Sequence, residues 1–375
     1  MLETNVIQDE APSFEVTAER PRWRSRLQLA RGLAPTPRPW FLLLLTGVAF
    51  GPYGLGILSG TVLTVLDPAV SAALATLGAF IGMEMDVRRL RVGSLRAGGN
   101  VEAVVTLVTV AAGMLAVDAL LDSSLMIPWL LAALLGLCAA SSASQPPSPD
   151  QDETALGGSH DILPIVLGLP ALAAMRAQTP AEIATLTFGF SLVVLAVAVA
   201  CWLLVSKTSS VTEERVFAIG GLLLLGGAAA YLSSSSLFAG FAAGVFWRAA
   251  GSDVRDRIAQ DLAYLQRPVV GLLLLVAGAK LHVPIALIGF IAFYVLCRIA
   301  GKLAGRLLAR RLATPSALDE PSPLSTGIVG LALALNVVQV RGHDDIATTL
   351  FTIVVVGSFA TDLAALLIRE PEPAA

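Results

Sequence analysis

Charge is what this chain has least of. Only 14% of its 375 residues are charged, where soluble domains carry about 25%. That excludes an ordinary soluble domain. With 55% hydrophobic residues and a mean hydropathy of +0.77, the chain reads as an integral membrane protein. Cysteine is also scarce. Cys138, Cys201 and Cys297 all sit in apolar segments, without the paired spacing of a disulfide or metal framework. With only three histidines besides, no transition-metal site and no cofactor are expected. Neither a Walker sequence nor a Gly-x-Ser-x-Gly turn occurs, so nothing points to an enzyme, and nothing points to a nucleic-acid partner. The net charge of −3 says little, because what matters is where the charges lie.

What is present is long apolar runs. A transmembrane helix needs about 20 largely apolar residues. The pattern predicts twelve: 39–58, 68–87, 97–117, 125–144, 154–175, 182–205, 215–232, 234–250, 262–279, 284–306, 323–341 and 344–368. The expected fold class is therefore an all-α polytopic membrane protein. Basic residues orient it. With the amino terminus inside, the inner segments hold twenty Lys and Arg, and the outer ones only Arg176, Lys280 and Arg341. That bias predicts both termini on the cytoplasmic side of a cell membrane. Residues 1–38 are polar, carry six arginines and lack the apolar core of a signal peptide. They read as a cytoplasmic tail, either near anionic lipid heads or simply solvated.

The chain also repeats. Gly47 and Gly51 in the first span match Gly240 and Gly244 in the eighth. The following spans end alike, at Gly82 to Asp86 and at Gly278 to His282. Seven helices separate the paired elements, and an odd number turns the second copy upside down. Two inverted five-helix repeats are expected within a 39–370 membrane domain: repeat one 39–175, linker helices 182–232 and repeat two 234–368. Helices four and eleven then correspond, and both are poorly built for a continuous helix. The fourth carries Ser141, Ser142 and Ser144 before Pro146-Pro147; the eleventh carries Gly327 and a polar Asn336. Interrupted helices would offer carbonyls and helix ends to an ion at the midplane. Small residues also simply let helices pack closely, and both readings stand.

Asp161 is the acid that matters, because a carboxylate within a membrane span marks an ion or proton path. A helix cap at Ile162 is the alternative, but it leaves too few residues to Met175 to cross. Starting the helix near Thr154 buries the acid instead. His160 precedes it and points about 100° away, as a hydrogen-bonding residue or a second proton carrier. Arg298 and Lys302 lie four apart on helix ten and share a face. Arg298 matches the depth of Asp161, while Lys302 is a turn nearer water and able to snorkel. Either would balance the acid. Ser141, Ser142 and Ser144 would lend hydroxyl oxygens, or bond back to their own helix. Glu102 lies near the inner end of helix three with no evident partner.

These residues resemble a known family. Gly51-Pro52-Tyr53-Gly54-Leu55-Gly56 looks like the Gly-Pro-x-x-Leu-Gly of monovalent cation:proton antiporters. Phe80 to Asp86 resembles their Phe-x-Gly-Leu-Glu-hydrophobic-Asp, Leu137 to Ser144 their Leu-x-x-Ser-Ser, and Leu237 to Gly244 their Phe-x-Ala-Gly helix. The resemblance spans roughly residues 39–368 and covers the membrane module alone. It implies sodium/proton or potassium/proton exchange in homodimers, with an acid on the fifth repeat helix. The family usually places Asp, Asn or Gln before that acid, where this chain has His160. The expected function is secondary exchange of Na⁺ or K⁺ for H⁺ across a lipid bilayer by alternating access. The alternatives are a sodium-coupled organic-anion symporter of similar architecture and a non-transporting membrane sensor.

Overall fold

The computed structural model describes residues 37–85, 97–121, 129–141, 159–208, 210–250, 252–312, 328–342 and 344–368. These residues form twelve α-helices and one short 3₁₀ turn. In chain order they are α1 (Pro37–Phe50), α2 (Gly60–Glu84), α3 (Ala97–Leu121), α4 (Trp129–Ala140), α5 (Ser159–Ala174) and α6 (Pro180–Lys207). Then follow α7 (Val211–Tyr231), α8 (Ser236–Ala250), α9 (Ser252–Lys280), α10 (Ile288–Leu312), α11 (Ile328–Arg341) and α12 (Asp345–Ile368). Six helices among the described residues are long and apolar enough to cross a membrane. The all-α polytopic expectation and the order of its spans hold.

Local chemistry moves several boundaries. Asp67-Pro68 reads in sequence as a break, yet α2 begins at Gly60 and runs through Pro68. Ser59 starts it, its side chain accepting from the amide of Val62. The first predicted span, 39–58, is too long: α1 stops at Phe50, and turns about Gly51, Gly54 and Gly56 carry the chain to α2. α6 opens where its sequence dictates. Thr179 and Glu182 form a reciprocal capping box, with Pro180 in the first turn. Among the described residues α4 ends at Ala140, with Ser141 outside the helix, and α11 ends at Arg341, with Gly342 at positive φ after it.

The helices pack as two groups. In the first, α1 lies on α9, α2 on α7, α8 and α9, and α6 on α7 and α8. In the second, α3 lies on α4 and α10, α4 on α5 and α11, and α12 on α10 and α11. α5 and α11 make the join, against α6, α8 and α2.

Close backbone approach holds the first group together. A Cβ on Gly82 of α2 would strike the carbonyl of Phe241 and the amide of Val245 on α8. A Cβ on Gly278 of α9 would strike the carbonyl of Leu44 and the amide of Val48 on α1. Likewise Gly244 of α8 abuts the carbonyl of Ala79, and Gly47 of α1 that of Leu275. The α1–α9 and α2–α8 contacts are thus equivalent, pairing Gly82 with Gly278 and Gly47 with Gly244. The sequence match paired Gly47 with Gly240, one helical turn short. α8 has two glycines one turn apart, Gly240 and Gly244, so Gly47 fits either and only the contacts choose between them.

Candidate functional site

One face of α10 carries Tyr294, Arg298, Lys302 and Arg306 at four-residue spacing, which stacks them along the helix. Gly301 and Gly305 bring α10 onto α3, where an added Cβ would meet Thr106 and Glu102. In this tight seat Arg298 is 0% and Lys302 1% exposed. Lys302 therefore does not snorkel: its helix continues to Leu312, and its ammonium is enclosed rather than led to water.

Both cations turn to the carboxyl end of α4. Arg298 Nη2 donates to the Ser141 carbonyl at 3.3 Å, and Lys302 Nζ donates to the same oxygen at 3.4 Å. Arg298 Nη1 donates to Ser358 Oγ of α12 at 3.1 Å. The last carbonyls of a helix lack partners and carry partial negative charge, so two buried cations there are electrostatically matched. The Ser141 hydroxyl donates to the Cys138 carbonyl at 3.0 Å. This residue thus bonds back to its own helix and presents its main-chain oxygen to the cations. Below, Arg306 Nε lies 3.7 Å from Glu102 Oε2, which gives that acid the partner its sequence did not reveal.

α11 meets α4 here. Gly330, in the first turn of α11, abuts the Cys138 carbonyl and Ser141 Oγ. α5 runs parallel to α11: Gly168 faces Leu333, and Arg341 Nη1 donates to the Met175 carbonyl at 3.3 Å. Carried back along α5, this register sets the backbone of Asp161 level with the start of α11. His160 and Asp161 lie in the first described turn of α5, and their side chains are outside the described residues. Ser142, Ser144 and Gly327 are outside them too, as are most of the amino-terminal tail and residues 154–158.

Asn336 is elsewhere. Its buried amide donates to Ser235 Oγ at 2.8 Å and accepts from the Ser236 amide at 3.2 Å, at the start of α8. Sequence reading placed the twelfth span but missed its contribution to this site. Ser358 and Asp362 are one turn apart there, Ser358 on Arg298 and Asp362 within electrostatic reach of Lys302. The signal was available: a serine and an acid at helical spacing in an otherwise apolar span.

No family model matches the sequence, and no curated protein does. A solved structure is similar: the sodium proton antiporter MjNhaP1 from Methanocaldococcus jannaschii at pH 8. The TM-score is 0.58 at 17% identity, over 87% of this chain and 91% of that one. The two packed helix groups, joined at α5 and α11, are thus similar in fold to that sodium proton antiporter.

Proposed function

We propose that the chain is a secondary active transporter that exchanges a monovalent cation, Na⁺ or K⁺, for H⁺ by alternating access. The observation that carries this is the pair of buried cations on the open end of α4, beside the start of α11 and level with the Asp161 backbone. At formal charge Arg298, Lys302 and Arg306 outnumber Glu102 and Asp362 by one. Asp161 supplies the missing negative charge. A proton or an alkali ion then competes for that carboxylate, because burial favours the protonated acid and a bound cation the ionised one. Exchange follows if the unloaded site does not cross the membrane. Arg298 stays charged and acts as fixed counter-ion, with Lys302 as its companion. His160 is the adjoining proton-handling group.

The residues divide into an amino-terminal tail (1–38) and a transport domain (39–370) of two inverted repeats. The protein works as a homodimer in the cell membrane with both termini cytoplasmic. The sodium proton antiporter of like fold supports cation–proton chemistry. The test is dye-reported proton movement in proteoliposomes on addition of Na⁺, K⁺ or Li⁺. Cation-evoked proton movement is the expected result. Sodium uptake that needs an organic anion would establish a symporter instead, and silence under all conditions a sensor.

A further inference from the structure

Among the described residues, polar ties from Arg176, Asn336, Gln339 and Thr352 cross between the two helix groups, and these lie at one end of the molecule. Arg176, just beyond α5, donates from Nη1 to the carbonyls of Leu232 and Ser233 at 2.7 and 3.0 Å. Asn336 of α11 bonds Ser235 and Ser236 ahead of and at the start of α8. Gln339 of α11 donates to the Asp67 carbonyl of α2 at 3.1 Å. Thr352 of α12 donates to the His282 carbonyl beyond α9 at 2.9 Å. Inside the first group, Lys280 holds Asp67 by an ion pair of 2.7 Å, which steadies the backbone that Gln339 grips.

The ties are dry at their centre. Asn336 is 0%, Ser235 and Ser236 are each 1%, and Thr352 is 2% exposed. Buried polar groups of this kind are costly to separate unless water or another partner replaces each bond. They join main-chain ends and loops to side chains, beside apolar residues of both groups such as Leu237, Val337 and Phe351 in one buried cluster.

From this geometry we infer that the ties form a closing seam, which seals one end of the transport path in this conformer. Asn336 is its central positioning residue. The sealed end is the one the basic-residue bias assigns to the outside. Asp161, at the opposite end of α5 from Arg176, is then reached from the cytoplasmic end. Transport requires the seam to open, so its strength sets how the protein divides between outward-sealed and outward-open states. The inference takes its meaning from the alternating-access reading, but its test measures accessibility and not flux.

The probe is Val338→Cys, between Asn336 and Gln339 on α11, where the native valine is 3% exposed. Full-length protein in sealed vesicles of known orientation is treated with a membrane-impermeant maleimide added on one side. In the otherwise unaltered protein, labelling from the sealed side is expected to be slow beside that of Tyr231→Cys, whose native tyrosine is 89% exposed. Asn336→Ala should raise it about tenfold, the effect of weakening one buried tie. Adding Gln339→Ala should raise it further. Arg176→Gln, at the exposed rim, gives the same reading if Asn336→Ala does not fold. Parent labelling as fast as at position 231 would overturn the seam, as would rates unchanged in every folded tie variant. Asp161→Asn in the same background separates the two ideas. Lost flux with unchanged labelling keeps both, whereas retained flux removes the exchange mechanism and leaves the seam to be judged by its labelling.

Discussion

Arg298 and Lys302 donate to a single atom, the Ser141 carbonyl oxygen, at 3.3 and 3.4 Å. Two cations one helical turn apart would ordinarily repel. Here the carboxyl end of α4 and the acids on α3 and α12 hold them together. The end of α4 and the basic face of α10 are therefore one device.

Removing one cation should expose that dependence. Arg298→Ala removes the bonds from a charged group to Ser358 and to the Ser141 carbonyl, which should cost about 3 kcal/mol. A large fall in the melting temperature of detergent-solubilised protein is expected, together with loss of flux. Arg298→Lys keeps the charge but loses the planar fork that reaches Ser141 and Ser358 together. It should destabilise by about 1–2 kcal/mol. Equal melting temperatures for the two variants would contradict this assignment.

Asp161→Asn tests the exchange chemistry directly. It should abolish cation-evoked proton flux in proteoliposomes while the purified protein keeps its melting temperature and its elution volume. An asparagine cannot alternate between a proton and a metal ion. Retained flux would eliminate Asp161 as the shared acid.

The paired glycines make a stability prediction. Gly82→Ala and Gly278→Ala each drive a methyl group into main-chain atoms of the facing helix, and neither backbone can yield cheaply. Each should destabilise by about 1–3 kcal/mol, the usual range for overpacking. Gly227→Ala, with open space at its Cβ, should be neutral or stabilising by up to about 1 kcal/mol, through helix propensity. Thermal melts of the three variants check the ranking.

The Lys280–Asp67 pair should matter less than its 2.7 Å separation implies. The Asp67 side chain is 38% exposed, so water and salt screen it. A double-mutant cycle of Asp67→Asn and Lys280→Gln should give a coupling of about 1 kcal/mol or less, shrinking with added salt. A coupling that salt leaves unchanged would show the pair to be shielded from water.

The helices were legible because lipid leaves a chain little choice: apolar runs of span length become helices. The end of α4 was legible as well, since the serine run from Ser141 opposes a continuous helix and the helix stops at Ala140. Three features were not. Pro68 looked like a boundary, because sequence shows the missing amide but not the cap at Ser59 that lets the helix start earlier. Ser141 invited a role for its hydroxyl, whereas its carbonyl receives the cations; a helix break frees main-chain atoms, and those look alike in every residue. Ser358 became meaningful only once α12 was laid against α10, a pairing between distant segments that no local pattern encodes.

A carbonyl oxygen has two lone pairs. Those of Ser141 face Arg298 and Lys302 and are fully subscribed. The Ser141 hydroxyl in turn gives its hydrogen to the Cys138 carbonyl one turn back. Within one residue, the backbone is a docking point for two protein cations, and the side chain ties that docking point to its own helix.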